Sequence, residues 1–544
     1  MAFLKIAVIA DSGKVPRFAR DALAAIEGCE EITLFSCTNS TVRRRLVRHL
    51  GYYALNAVTI RNPLTRLVDV AGGRKRVASS VEFASGYDGA WQTLPPPIVA
   101  ALAEFDVVLK FGMSLLRVPP AEELPAPILS YHHGDPDRFR GRPMGFWETA
   151  EGVPTIGQMI QRITNRLDGG QVAAFAETRV YPHSYRATLM ESYRHSKLLI
   201  NQGIRNALAG TWLQKPCNGR NYRLPSNWQV ARFVARMASK FAGRLAYGAL
   251  VEKRWHVSLA PAPLAPAALA EGAPFPPESE WRELPAATGY AFYADPFFAP
   301  ESEGVLVEAM DARSGWGEIV LVKDNSHRAV LSIAGHLSYP CTVEVGSRRL
   351  VLPEMAIDSE QKAYVMAEDG LREAATLRFP EPVRIVDPTL IEHDGRLYLF
   401  GNRLADGASA LFLWSAPTLE DVFVPHPAAP VQISPRGGRM AGNIVRTQGR
   451  LIRFGQTFLT GYGDGIVAFE IEALGPERYR EREIGQIAFE RRRGPHTLNF
   501  GDGLMVFDWY EEVVSPLAGV RRWRARSRAA PPPRAQALRP IATQ

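Results

Sequence analysis

The densest run of potentially reactive side chains in the sequence is Ser130-Tyr131-His132-His133-Gly134-Asp135. It stands at the carboxyl end of an expected buried strand, Ile128 to His132 (ILSYH). In open α/β sheets that edge gathers loops and helix N-termini around ligands. Two adjacent histidines in a strand-to-loop turn send their side chains to opposite sides, so that one enters a cleft while the other packs or meets solvent. Further on, RLDGGQVAAF places Asp168 before Gly169 and Gly170 in a tight turn that leads into a strand. A carboxylate held there can orient a histidine and take up proton density from it. Imidazole and carboxylate together suit acyl transfer to an amine, which needs a base for the nucleophile and stabilisation of an oxyanion.

The elements that must position these groups alternate strand and helix. Lys5 to Ala10 (KIAVIA) reads as a buried strand, Arg17 to Ile26 as an amphipathic helix and Ile32 to Ser36 as a second strand. Asp106 to Phe111 (DVVLKF) repeats the strand pattern, which predicts a doubly wound parallel sheet. Residues 1–200 form this α/β domain. Residues 201–284 read as a helical connector ending in a Pro/Ala-rich linker, APAPLAPAALAEGAPFPP.

From residue 285 to 512 the texture becomes all-β, and a unit of roughly 45–50 residues recurs, the spacing of propeller blades. Its entries are YADPFFAP at 293, HLSYPCTVEV at 336, VDPTLIEHDGRLYLF at 386, RMAGNIVRTQGRLIRF at 439 and GPHTLNFGDGLMVF at 494. Five units predict a five-bladed β-propeller with the blade starts around a central funnel. That funnel would bring together Asp295, Tyr339, Glu354, Asp387, Arg439, Asn443 and His496, a set able to hydrogen-bond several sugar hydroxyls. Phe297 and Tyr339 are expected to stack on a pyranose face. Hydrolysis would need two carboxyl groups about 5 to 9.5 Å apart. Asp295, Glu354 and Asp387 are the candidates, although Asp-Pro is also a structural turn.

Of the formal net charge of +8, seven units come from arginines beyond Val513, where no acid occurs, so the body before it carries +1. A near-neutral body argues against a specific nucleic-acid partner. Residues 513–544, with Arg521, Arg522, Arg524, Arg526 and Arg528 before PPPRAQ, read as a disordered basic tail suited either to weak contact with phosphates or an anionic membrane or simply to solubility. Cys29, Cys37, Cys217 and Cys341 lack metal or disulfide spacing, and no metal site is expected. The start, MAFLKIAVIADSGK, runs straight into a strand and is read as a cytoplasmic N-terminus.

The order of residues over 1–200 resembles the formyltransferase N-terminal domain, whose signature runs Asn-x-His-Pro-Ser-Leu-Leu-Pro, then Arg-Gly, then Asp-x-Gly. Anchored on Arg140-Gly141, the resemblance makes His132 and Asp168 the catalytic pair. It puts Ser130 at the asparagine position and GDPD in place of Ser-Leu-Leu-Pro. It implies 10-formyltetrahydrofolate as cofactor, with His133, Asp135, Gly141 and Gly169 beside it, and an amino sugar or nucleotide-, lipid- or polymer-linked glycan as substrate. The region from Tyr290 to Asp508 resembles family 43 glycosidase-like propellers. Through ADPF, HLSYP, LPEM, DPTL, RMAGN and PHTLN it is similar to the N-terminal domain of plant glucosamine inositolphosphorylceramide transferases. Together the resemblances imply a formyltransferase-type enzyme of cell-surface glycan biosynthesis. The alternative is a glycan-processing or glycan-binding propeller with a degenerate formyltransferase domain.

Overall fold

The structure, a computed structural model, describes residues 4–40, 47–59, 61–166, 169–300, 304–324, 326–355 and 360–528. The chain divides into two compact units, Met1–Gly243 and Arg244–Gln544.

In the first unit the apolar runs form β1 (Ile6–Asp11), β2 (Glu31–Cys37), β3 (Arg76–Phe83), β4 (Val107–Lys110), β5 (Ile128–His132), β6 (Thr155–Arg162) and β7 (Gln171–Arg179). Their order in the sheet is β3-β2-β1-β4-β5-β6-β7. The strands from β3 to β5 pair in parallel, whereas β6 and β7 are antiparallel. The order reverses between β1 and β4, the switch point at which ligands of doubly wound sheets bind. On one face Ala7, Val108 and Ile128 stand side by side in register and pack with Ile98, Val99 and Leu102 of α2 (Pro96–Leu102). The other face carries α1 (Arg17–Ala24) and α3 (Tyr185–Leu208). Gly203 lets α3 approach Ile160 of β6, where an added Cβ would come within 2.9 Å. A second long helix, α4 (Asn227–Leu250), leads towards the second unit.

The second unit consists of five sheets of four or five strands, the blades of a propeller. Their inner strands are Tyr290–Phe298, Ser338–Val345, Ile385–His393, Arg436–Met440 and Leu498–Gly501. The repeated x-Pro motifs of the first three blades each make a β-bulge, with Asp295, Tyr339 and Asp387 at φ of 45°, 46° and 49°. A bulge re-aims the side chain at the strand start, here by the same device in three blades.

Part of the stretch expected to be connector and linker is built into the propeller. β8 (Val251–Pro261) pairs along its whole length with Leu504–Val514, and β9 (Arg282–Leu284) lies outside it, completing the fifth blade. The Pro/Ala-rich segment between them buries Ala267, Leu269 and Ala270 in the core of the last two blades.

The expected basic tail also has structure, because α5 (Ala518–Arg528) packs on the end of α4. Arg522 donates to the Gly248 carbonyl at 2.6 Å and Arg521 pairs with Glu252 at 2.9 Å. Residues 529–544 lie outside the described residues. Among those described, no helix is long and apolar enough to cross a membrane.

Candidate functional site

In the sheet, period-two alternation decides which histidine is available. Ser130 and His132 follow Ile128 on the α2 face, whereas Tyr131 and His133 turn to the helices opposite. Tyr131 Oη donates to the Ser196 carbonyl of α3 at 2.8 Å. The His133 ring packs against Phe18, Tyr131 and Tyr193, with centroids 5.5, 5.9 and 5.1 Å away. Its Nε2 lies 3.0 Å from Ser196 Oγ, which donates onward to Gln158 Oε1 at 2.9 Å. Burial, reinforced by the neighbouring His132, pushes the His133 pKa down to about 3, so the ring is neutral. The structure therefore places His133 away from the face that carries His132.

Asp135 and the two glycines serve the backbone. Asp135 accepts the Asp137 N–H at 3.1 Å and lies 3.5 Å from Lys215 Nζ, while its carbonyl accepts the Phe139 N–H at 2.7 Å. It thus closes the GDPD turn. Gly141 has a φ of 85°, and a Cβ there would stand 2.2 Å from the Tyr222 carbonyl oxygen of the paired strand. Gly169 donates to the Arg166 carbonyl at 3.3 Å. Asp168 lies outside the described residues.

At the carboxyl edge the α2 face changes from apolar to polar. One row beyond Ala7, Val108 and Ile128, the register aligns Ile9, Lys110, Ser130 and Gln161 across β1, β4, β5 and β6. The row beyond that holds Asp11 and His132. Lys110 is 9% exposed, and its Nζ donates to the Ser114 carbonyl at 3.1 Å. Burial lowers its pKa to about 8, with Asp11 acting in the opposite direction. Gln161 is 6% exposed, and its Oε1 has no hydrogen-bond partner among the described residues. Sequence reasoning missed both residues. The signal for Lys110 was a lysine closing an otherwise apolar buried strand.

In the propeller the blade starts meet in two charge clusters. In the first, His496 Nδ1 lies 3.1 Å from Asp508 Oδ2 and 3.2 Å from Asp295 Oδ1. Asp508 also accepts the backbone N–H groups of Asp295, His496 and Thr497 at 3.0, 3.0 and 2.7 Å. Thr497 Oγ1 donates to Asp295 at 2.6 Å. Burial opposes charge on His496, but Tyr462, Asp508 and Asp295 outweigh it and hold its pKa well above the usual imidazole value. Burial likewise opposes the Asp295 carboxylate, and His496 and Thr497 overcome it, leaving its pKa below the ordinary range. Asp295, His496 and Asp508 present ligand atoms within 4.8 Å of one another, a spacing that also suits a metal ion.

In the second cluster Asp387 receives Arg439 through Nε and, at 3.0 Å, through a terminal nitrogen. Gln456 Nε2 donates to the same carboxylate at 3.0 Å, and the Asp387 N–H donates to Glu354 at 3.1 Å. Between the clusters lies Glu308, on the strand paired with Asp295's own and absent from the sequence-based set. Burial first, then the charges of Asp295 and Glu354, raise the Glu308 pKa well above the carboxylate range. Burial and Asp387 do the same to Glu354 against the pull of Arg439. His336 Nδ1 accepts the Gly317 N–H at 2.8 Å, so its proton sits on Nε2, 3.5 Å from Glu308. Two glutamic acids held neutral beside the Asp295 carboxylate held ionised form an acid/base set.

Two expected aromatic contacts are corrected. Tyr339 and Phe297 are fully buried, packed edge-on 4.9 Å apart. Tyr339 Oη accepts the Gly442 N–H at 2.8 Å, joining blades 2 and 4. The bulge turns this ring into the core, where no sugar can stack on it. Asn443 likewise ties strands together through Asn499 and Cys341. The aromatic beside the charges is Tyr462, 44% exposed and 4.7 Å from the His496 ring.

No curated protein sequence matches the chain significantly. Among solved structures, an N-formyltransferase from Helicobacter canadensis in complex with folinic acid and dTDP-3-aminofucose is 10% identical, covering 59% of this chain and 99% of its own, with a TM-score of 0.27. Phosphoribosylglycinamide formyltransferase from Streptococcus pneumoniae is 17% identical over 38% of this chain and 99% of its own, with a TM-score of 0.25. A thermostable family-43 glycoside hydrolase is 12% identical over 42% and 80%, with a TM-score of 0.25. At these values the assignment of parallel sheet and propeller rests on the strand pairings themselves. Residues 289–502 match the family described as glucosamine inositolphosphorylceramide transferase 1, N-terminal, so the propeller is similar to that domain over nearly all of its five blades.

Proposed function

We propose that this protein is a formyltransferase-type enzyme that N-formylates an amino sugar in cytoplasmic glycan assembly, its propeller binding the carbohydrate. One observation carries the reading. At the switch point of the sheet, on the face that holds Ser130 and His132, an apolar floor gives way to the polar row of Lys110, Ser130 and Gln161. 10-Formyltetrahydrofolate would supply an activated formyl group there. The residues fit such a molecule, because the buried Gln161 Oε1, unpartnered among the described residues, offers an acceptor to a heterocyclic N–H. His132 would take the proton of the attacking amine. Asp168 would orient His132 by resemblance to the formyltransferase signature. The glycan would be held at the propeller charge clusters, with Tyr462 as the exposed aromatic.

The test is incubation of the full-length protein with 10-formyltetrahydrofolate and a panel of nucleotide-linked amino sugars, with product mass as readout. Formylation abolished by His132→Ala supports the reading. Failure to bind folate or to formylate any acceptor would sink it.

A second reading places the chemistry in the funnel, and the neutral Glu308 and Glu354 beside ionised Asp295 favour it. Glycan processing that survives His132→Ala but not Asp295→Ala or Glu308→Gln would establish it.

A further inference from the structure

Acyl transfer places negative charge on the carbonyl oxygen under attack, and donors aimed at that oxygen lower the barrier. In the formyltransferase signature the asparagine amide stands in the position that Ser130 occupies here. A serine hydroxyl is shorter and rotates freely. His133 and Asp135 do not make up the loss, since one lies on the opposite face and the other closes its own turn.

On the formyl-transfer reading, we propose that Lys110 is the catalytic donor that takes over from the missing asparagine, its ammonium binding the formyl oxygen as charge develops. Lys110 and Ser130 are register partners on adjacent parallel strands, so their side chains leave the same face about 5 Å apart. The ammonium carries three donors, of which the Ser114 carbonyl takes one. A neutral loop carbonyl needs no buried cation to satisfy it. Asp11, the nearby carboxylate, accepts the Met113 N–H at 2.9 Å. The floor of Ala7, Ile9, Val108 and Ile128 excludes water, which makes a hydrogen bond from a cation worth more than in solvent.

The step balances without further reactants. The acceptor nitrogen forms the new C–N bond and the carbonyl π electrons move to oxygen, where Lys110 donates to them. As they return, the bond to the donor nitrogen breaks and that nitrogen leaves with the electron pair and gains a proton. The acceptor's own proton departs by way of His132 or water. Lys110 remains protonated throughout, so transfer should decline as pH rises through the Lys110 pKa of about 8. Among the described residues, the charged or titratable groups around it are Asp11 on β1 and His132 on β5.

The experiment compares wild type, Lys110→Met, Lys110→Arg and the Lys110→Met/Ser130→Asn double variant in the full chain. It measures kcat and its pH profile, and affinity for 5-formyltetrahydrofolate by calorimetry. Lys110→Met is expected to lower kcat on the order of 10²-fold, the loss typical of one oxyanion donor, with folate affinity little changed. Ser130→Asn in that background should restore part of kcat, and Lys110→Arg should abolish the decline above pH 8. Should Lys110→Met fold poorly, the Lys110→Arg profile still decides, because a purely structural lysine would leave both profiles alike. Unchanged kcat in Lys110→Met, or kcat and folate affinity lost together with no rescue by asparagine, overturns the proposal while leaving formyl transfer intact. A wild type that neither binds folate nor transfers formyl overturns the underlying reading and this inference with it.

Discussion

His496 and Asp295, 3.2 Å apart, join the last blade of the propeller to the first, at the point where β8 closes the ring. Their neighbours Glu308 and Glu354 bind protons more tightly folded than unfolded, as does His496. For such groups the folded state holds more protons, and stability falls as pH rises. The contribution of the glutamates is full below their ordinary pKa of 4.5, and that of His496 below 6.5. Each is lost on the way up to its raised folded value. Asp295 acts in the opposite sense, its contribution lost only as pH falls through and below 3.8. Unfolding of the propeller, followed by intrinsic fluorescence, should therefore show Tm decreasing from pH 5 to pH 9. A Tm that rises over that range would show that these groups are ionised differently.

Glu308→Gln isolates one of these terms. If the buried carboxyl is neutral in the fold, glutamine replaces it with little change of shape and removes the cost of protonating it at high pH. The variant should gain Tm at pH 8 and gain little or nothing at pH 4. If Glu308 is instead an ionised partner of His336, the same substitution should lower Tm at pH 8.

The sequence made the two architectures legible because both are local patterns: apolar runs alternating with helices, and an x-Pro entry recurring at blade spacing. Asp295 and Asp387 were legible for the same reason. Glu308 was not, since it lies in VLVEAM on the second strand of its blade and reads as an ordinary alternating position. Asp508 and β8 were hidden by distance, because β8 finds its partner strand about 250 residues away and no local propensity records that pairing. Tyr339 misled, because the bulge that gives Asp295 and Asp387 their place in the charge clusters buries this ring.

The two neighbouring histidines separate site from scaffold. His132→Ala should abolish formyl transfer and leave Tm nearly unchanged. His133→Phe keeps the ring packed among Phe18, Tyr131 and Tyr193 but leaves Ser196 without its imidazole partner, so it should cost about 1 kcal/mol of stability and spare kcat. Loss of kcat in His133→Phe with an intact fold would move the chemistry to the other face.

Gly141 offers the same distinction for the expected cofactor residues. Its φ of 85° and the Tyr222 carbonyl 2.2 Å from a Cβ position leave no space for alanine without shifting the paired strand. Gly141→Ala should therefore destabilise the first unit by about 1–3 kcal/mol. Folate affinity measured well below Tm should stay close to that of wild type. Weaker folate binding at unchanged stability would instead make this loop part of the cofactor site.

Arg439 is the point at which structure and binding should fail together. Its guanidinium grips Asp387 with two nitrogens, and Asp387 is almost fully buried, so Arg439→Met leaves a carboxylate that neither water nor another cation reaches easily. Removing one partner of a buried pair costs about 3–5 kcal/mol, whereas the double variant Arg439→Met/Asp387→Leu should recover much of that stability. On the proposed reading glycan affinity, by contrast, should be lost in both, because both lack the Arg439 guanidinium proposed to bind sugar hydroxyls, whether or not the fold is repaired. A double variant that regains stability and also binds glycan would place the carbohydrate site outside this cluster and leave the pair a purely structural role in the propeller.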